Sequence, residues 1–514
     1  MRKSLQLVLA VVSASLQILA FPNFNLWPLA WIAFVPLFFA IDGRKPLKSF
    51  LISYITGFLF FLGTIYWLIH VTLPGMIIVA AYLALYFALF GSALSFVMGR
   101  SKPLAVLFFA PAAWVALELT RSNVFSGFGW ALLSHSQSNC LPVIQIADIT
   151  GAYGVSFLVM MANAAIFLTI KDLRKKEYSS PILGIALILI FVSLAYGIIR
   201  VKNIFTGEIF NAAVVQGNIP QTEKWDASFR QEILGKYESL TKDAAKEEVD
   251  LIIWPETSVP GFLESEHDLF GRVEALAKGV RTPLLVGAPR EDPALPDAYY
   301  NSAVLFDEEG GISGRYDKIH LVPFGEYLPF KGILSFVENF APNPIGDFRG
   351  GKDYTVFKVF TQRSSRDKDY VRRLVKKVSF SCLICFEDIF PGLVRQFAHS
   401  GADFLVVITN DAWFGNTSAP YQHAQSSVFR AVENRLNVVR AANTGLSCFI
   451  DQKGRIVKRV EELGRDLFVN GVAVNGMILT NTRTFYTAYG DLFAYACALL
   501  AVFYLFVNLF YIRR

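Results

Sequence analysis

The sequence predicts a membrane α-helical bundle of about eight transmembrane helices carrying one extracytoplasmic α/β domain, and three observations predict it. Of 514 residues, 54% are hydrophobic, 14% aromatic and only 18% charged, with a mean hydropathy of +0.42; an ordinary soluble enzyme of this length is far less apolar. The apolar residues are also unevenly placed. Residues 1–204 and 486–514 hold long uninterrupted apolar runs, whereas residues 205–485 have globular patterning. Finally, Lys and Arg are biased to one set of loop ends, which fixes the orientation.

Runs long enough to cross about 30 Å of hydrocarbon occur near residues 4–21, 23–41, 49–70, 75–98, 103–118, 151–170, 181–199 and 490–511. The first follows "MRKS" and could be read as a signal peptide. A retained helix is the better reading, because a second span follows at once and no small-residue cleavage site separates them. Arg2, Lys3, Arg44, Lys45, Lys48, Arg100, Lys102, Lys171, Arg174, Lys175, Lys176, Arg513 and Arg514 mark one side, while the opposite short loops hold little beyond Arg121. Both termini are therefore expected in the cytoplasm and the α/β domain outside it. The formal net charge of +6 is explained by these orienting residues, and no nucleic-acid partner is implied. Glu118 and Asp148 fall at the outer boundary, either as solvated or helix-capping carboxylates or as headgroup ligands.

Between 205 and 485, short β-branched runs alternate with helical patterns: "IFNAAVVQGN", "VDLIIWPE", "TPLLVGAP", "NSAVLFD", "KKVSFSCLICFED", "ADFLVVITND" and "GLSCFID". Several are apolar on both faces, as strands of sheets covered on both sides are. Helices are expected near 228–247, 266–278, 391–400 and 420–440. The residues with chemistry come directly after strands, where open α/β sheets place their sites: Glu256 after "LIIWP", Lys318 in "GRYDKIHLVPFGEYLPF", Cys385 after "VSFSCLI".

In these three contexts, W-P-E, Y-x-K-x-H-L and C-x-x-C-F-E-D, the sequence resembles the nitrilase, or carbon–nitrogen hydrolase, superfamily with its Glu-Lys-Cys triad. The order of seven helices, nitrilase-like domain and final helix resembles the apolipoprotein N-acyltransferase family, and "VVQGNIPQTEKWD", "FGEYLPF" and "NDAWFG" extend that likeness beyond the soluble amidases. The resemblance implies a four-layer αββα sandwich, with Glu256 as proton acceptor, Lys318 as oxyanion stabiliser and Cys385 as nucleophile. It further implies a second carboxylate, Glu326, that orients the lysine, another functional acid at Glu387, and a mobile arm bearing Trp225. Phe386 stands where well-studied members can have Tyr, which puts any role for that hydroxyl in doubt.

Cys382 and Cys385 form a C-x-x-C. Three apart on an extended strand, they should face opposite ways, which disfavours a disulfide, and no second pair completes a zinc site. Cys382, like Cys140, Cys448 and Cys497, then reads as a small buried residue. His320, His267, His399 and His423 show no ligand spacing and read as structural. Asn410, Asp411 and Trp413 are expected either to shape the pocket beneath the cysteine or simply to fix a turn. The aromatic run 322–342, with Phe324, Tyr327, Phe330, Phe336 and Phe340, reads as a membrane-contacting lid. The mixed-charge stretch 361–377 reads as a solvated hairpin.

The family implies acyl transfer from a membrane phospholipid, through a cysteine thioester, to the N-terminal amine of an S-diacylglyceryl-cysteine apolipoprotein, without metal or other cofactor, by a monomer in the bacterial inner membrane. A tethered amidase would share the triad but not need eight spans or an aromatic lid. A transporter with a sensing domain would need paired ionisable residues within its spans, which the sequence lacks.

Overall fold

The computed structural model describes residues 3–175, 181–292, 299–329, 347–367, 370–480 and 482–510, and side chains throughout these except 362–375. Phe330, Phe336 and Phe340 lie outside the described residues. The chain divides into two compact units: residues 1–203, 417–433 and 484–514 form one, and residues 204–416 and 434–483 the other.

Among the described residues of the first unit, six helices are long and apolar enough to cross a membrane: Pro46–Thr64, Leu73–Met98, Pro103–Ser126, Ala152–Lys175, Ile182–Lys202 and Leu492–Phe510. Prolines start several of them at positions where no intrahelical N–H is needed. The run at 23–41 is not one helix. It breaks into a loop, the single 3-10 stretch Trp27–Trp31 and the short helix Val35–Ile41, because Pro28 and Pro36 each remove a backbone donor. The exposed backbone groups are met by side chains: Asn163 Oδ1 accepts from Phe34 N at 2.8 Å, and its Nδ2 donates to Ala30 O at 2.9 Å. Helix Lys3–Leu19 joins the same region, with Ser13 Oγ donating to Ala33 O at 2.6 Å. Glu118 and Asp148 are buried, so the solvated reading fails for both. Glu118 accepts from Leu133 N at 2.7 Å, and Asp148 pairs with Arg200 at 2.7 Å.

The second unit is built on two six-stranded sheets, β12-β1-β2-β3-β4-β5 and β11-β10-β9-β8-β7-β6. Their strands are β1 Glu208–Gln216, β2 Leu251–Ile253, β3 Leu284–Glu291, β4 Tyr299–Phe306, β5 Ile312–Asp317 and β6 Phe357–Asp367, then β7 Tyr370–Ile384, β8 Phe404–Thr409, β9 Asn437–Ala442, β10 Cys448–Ile450, β11 Ile456–Arg459 and β12 Gly471–Leu479. Each sheet has a parallel centre, β1-β2-β3 in one and β7-β8-β9 in the other. Those central strands are the ones written as unbroken apolar runs, and all six residues of β8 are buried. Phe210 of β1 meets Phe404 of β8 at 5.0 Å, where the inner faces of the two sheets pack. On the outer face of the first sheet, helices Arg230–Ala244 and His267–Val280 cover a core in which Tyr237 stacks on Trp254.

The helix expected over 420–440 ends at Asn434. Arg435 turns the chain with φ 54°, and "NVVRAA" becomes β9, since a β-branched pair between β8, parallel, and β10, antiparallel, satisfies its backbone better in the ladder. The 361–377 stretch is an antiparallel ribbon in register from Phe357↔Phe380 to Asp367↔Tyr370.

Candidate active site

Three strand ends bring the expected residues together. Glu256 lies three residues past β2, Lys318 directly after β5, and Cys385 directly after β7. Lys318 Nζ is 2.9 Å from Glu326 and 3.6 Å from Glu256, with the lysine only 1% exposed. Asn301, at the start of β4, donates from one amide nitrogen to both carboxylates, 2.7 Å to Glu256 Oε1 and 2.8 Å to Glu326 Oε1. Glu326 Oε2 also accepts from Val322 N at 2.8 Å. The second oxygen of Glu256 accepts from the backbone N–H of Asn410 at 2.9 Å, a donor aimed there because β8 has just ended. Each carboxylate is thus held in one orientation with a free edge toward the lysine.

Glu256 sits on a tight turn. Thr257 has φ 44°, a region that costs an ordinary residue of order 1 kcal/mol. The turn passes so close to β3 that a Cβ on Gly287 would meet Thr257 N at 2.7 Å and Glu256 Cα at 2.8 Å. Glycine at 287 is what lets the carboxylate approach.

Cys385 has φ 54° and opens the 3-10 turn Cys385–Ile389. The strand has therefore ended before the nucleophile, so Cys382 and Cys385 are separated by a bend rather than by strand alternation. Neither is in a disulfide; Cys382 is buried and Cys385 half-buried. Cys448 and Cys497 are buried as expected, while Cys140 is half-buried. The bend is held by Glu387, fully buried, which accepts four hydrogen bonds: from Ile384 N (2.7 Å), Tyr316 Oη (2.7 Å), Ile319 N (2.7 Å) and His320 N (3.0 Å). One carboxylate thereby ties the loop of Cys385 to the loop of Lys318. Next to it, Asp388 pairs with Arg440 of β9 at 2.6 Å.

Burial pushes the Cys385 thiol well above its ordinary range and the Glu256 carboxylate adds to this, while Lys318 and a hydrogen bond with Thr409 pull it down. The resting group is the thiol, so attack needs a base. Burial works against the charge on Lys318, but the carboxylates of Glu326 and Glu256 outweigh it and hold the ammonium above its usual range. Burial raises Glu387 as well, opposed by its N–H and O–H donors.

The other expected residues are less central. Phe386 packs edge-on against Phe390 at 5.0 Å, with the His320 ring lying tilted against the same Phe390 at 3.8 Å; neither contact needs a hydroxyl on residue 386. Asn410 donates to Gln221 at 2.8 Å and accepts from Asn443 at 3.1 Å. Trp413 is exposed in the turn Asp411–Phe414, and Trp225 is 54% exposed, so core packing does not explain it. Sequence reasoning missed Asn301, Tyr316, Asn443 and Lys224, whose Nζ donates to the Glu256 carbonyl at 2.9 Å. Asn301 opens the run "NSAVLFD", Tyr316 is the first residue of Y-x-K-x-H-L and Lys224 lies within "VVQGNIPQTEKWD", while Asn443 stands in none of these stretches. Among the described residues no group of three or more His, Cys, Asp or Glu is placed to hold a metal ion.

The model of the apolipoprotein N-acyltransferase N-terminal domain matches residues 13–165, and that of carbon-nitrogen hydrolase matches residues 211–479. A protein named apolipoprotein N-acyltransferase from Geobacter metallireducens is 39% identical over 504 residues, covering 95% of this chain and 92% of that one. The chain belongs to the apolipoprotein N-acyltransferase family. Members so named from Chlorobaculum tepidum and Haemophilus influenzae are 31% and 30% identical, covering 93% and 97% of this chain. Among apolipoprotein N-acyltransferases, then, this chain is an acyltransferase with a nitrilase-like domain and membrane helices.

Proposed function

We propose that this enzyme moves an acyl chain from a membrane phospholipid to the N-terminal amine of S-diacylglyceryl-cysteine in apolipoproteins, through a thioester on Cys385. The reading rests on one observation above all: Glu256, Lys318 and Cys385 converge from three strand ends in a chain whose helical part also matches the family.

Glu256 takes the thiol proton as sulfur attacks the ester carbonyl, and Lys318 faces the oxyanion that forms. The carbon–oxygen bond then breaks, and the Glu256 proton goes to the departing oxygen, giving lysophospholipid and thioester. The neutral amine attacks next and gives a proton to Glu256, which returns it to sulfur as the carbon–sulfur bond breaks. Amide and free thiol result. Glu326 keeps the Lys318 ammonium in place through both steps, and Glu387 keeps the two loops in register. Trp225 and Trp413, both exposed beside the site loops, are assigned to substrate contact.

Residues 205–485 are assigned as the catalytic stretch, between membrane stretches 1–204 and 486–514. The bias of Lys and Arg supports a multi-pass inner-membrane protein of about eight helices with both termini cytoplasmic and the catalytic domain periplasmic. It is assigned as a monomer.

Mass spectrometry tests the chemistry. Protein given phospholipid alone should accumulate an adduct one acyl chain heavier on Cys385. A diacylglyceryl-cysteinyl peptide with a free amine should discharge it as an amide, and an N-acetylated peptide should not. Release of free fatty acid at the same rate with and without the amine would instead establish a tethered hydrolase.

A further inference from the structure

Two lysines are buried around Glu256, and they are held differently. Lys318 lies against two carboxylates. Lys224 is equally enclosed, 3% exposed, yet its hydrogen bond goes to a neutral acceptor, the main-chain carbonyl of Glu256. An ammonium has three N–H donors, and the Glu256 carbonyl takes one of them.

The position of Lys224 is built rather than incidental. Its loop is fastened at Ile219, whose N–H and C=O both bond the Asn443 side chain at 2.9 and 2.8 Å. It is fastened again at Gln221, which accepts from Asn410. Asn410 is the same residue whose backbone N–H orients Glu256. The charge of Lys224 acts on Glu256 and on Cys385, and burial lowers its own proton affinity to about 8. A buried lysine without a carboxylate on it is costly, and such groups cluster where a site needs them.

We propose that Lys224 is a positioning residue of the acyl-transfer centre: its ammonium clamps the strained Glu256–Thr257 turn by the Glu256 carbonyl and adds a second positive charge to the one Lys318 supplies to the Cys385 thiolate. The inference rests on the reading of Cys385 as nucleophile. Besides Lys224, the charged groups acting on that thiol are Glu256, Lys318 and Asp411, with Glu326 behind Lys318. Removing Lys224 leaves Lys318 alone against these carboxylates, and thiolate formation becomes harder.

The test is the rate of Cys385 alkylation by iodoacetamide at about pH 7, where Lys224 keeps its proton, followed by mass spectrometry on the full chain in detergent. Because alkylation needs neither lipid nor peptide, it reads Lys224 even where transfer from lipid is not seen. Lys224→Met should slow alkylation and acyl-adduct formation about tenfold. Lys224→Arg should keep both rates close to wild type. Lys224→Gln retains a donor for the carbonyl without the charge, and should fold as wild type while showing the slowed alkylation. A wild-type alkylation rate in folded Lys224→Gln or Lys224→Met, with adduct formation within about twofold of wild type, would overturn the proposal.

Discussion

The helical unit and the α/β unit both bury polar side chains, but they use them differently. In the helical unit such groups mend broken backbone. Asn163 satisfies the interrupted segment around Phe34, and Gln422 accepts from the indoles of Trp67 and Trp130 while donating to Thr64 O. In the α/β unit they aim other polar groups: Asn301 orients two carboxylates, and those carboxylates fix a lysine. The lesson is that a saturated buried amide gives rigidity, whereas chemistry requires a group whose hydrogen-bonding capacity is only partly used, as at Lys224.

The sharpest way to break this comparison is to exchange the losses. Cys385→Ser should reduce acyl transfer by about a thousandfold or more with an unchanged melting temperature, measured by adduct formation and thermal unfolding in detergent. Asn163→Ala should do the reverse. It strands a buried N–H and a buried carbonyl at about 1–3 kcal/mol each, and a fall in melting temperature with undiminished activity per folded molecule is expected. Glu387→Gln tests whether one residue can belong to both kinds. An amide turned toward four donors cannot accept all of them, so activity should fall about a hundredfold together with a clear loss of melting temperature.

A smaller effect concerns Lys224 and pH. Its folded proton affinity, about 8, lies below that of a free lysine, so the folded state binds fewer protons between about 8 and 10.5. Stability contributed by this group therefore rises with pH through that window. The melting temperature of wild type relative to Lys224→Met should improve between pH 7.5 and 10, taken as the approximate ends of that range; no such drift is expected for Lys224→Arg. Smallest of all, Phe386→Tyr should leave turnover within about twofold, since the ring already packs edge-on with its rim available. Cys382→Ala should cost about 1 kcal/mol and little activity.

How much of this was legible follows from range. Glu256, Lys318 and Cys385 could be read because each follows an apolar strand directly, and a strand end is a local signal. The central strands were legible for the same reason. Asn301 and Lys224 were not, since their significance comes from pairings 45 and 32 residues away that no periodicity encodes. The "NVVRAA" segment was misread as helix because it continues a helical pattern without a proline or glycine stop; its fate is decided by the ladder with β8. Residues 23–41, expected as one continuous run, are broken for a different reason, since total hydropathy hid what Pro28 and Pro36 do to hydrogen bonding.

The helix Ala419–Asn434 falls inside the stretch matched by carbon-nitrogen hydrolase, yet residues 417–433 belong to the same compact unit as the first 203. Gln422 reaches Thr64 across 358 positions of chain. During synthesis, the indoles of Trp67 and Trp130 emerge long before their shared acceptor does. The helical bundle must therefore wait, incomplete, while more than half of the polypeptide is still being made, and the interval is a window in which a chaperone at the membrane could hold those two tryptophans.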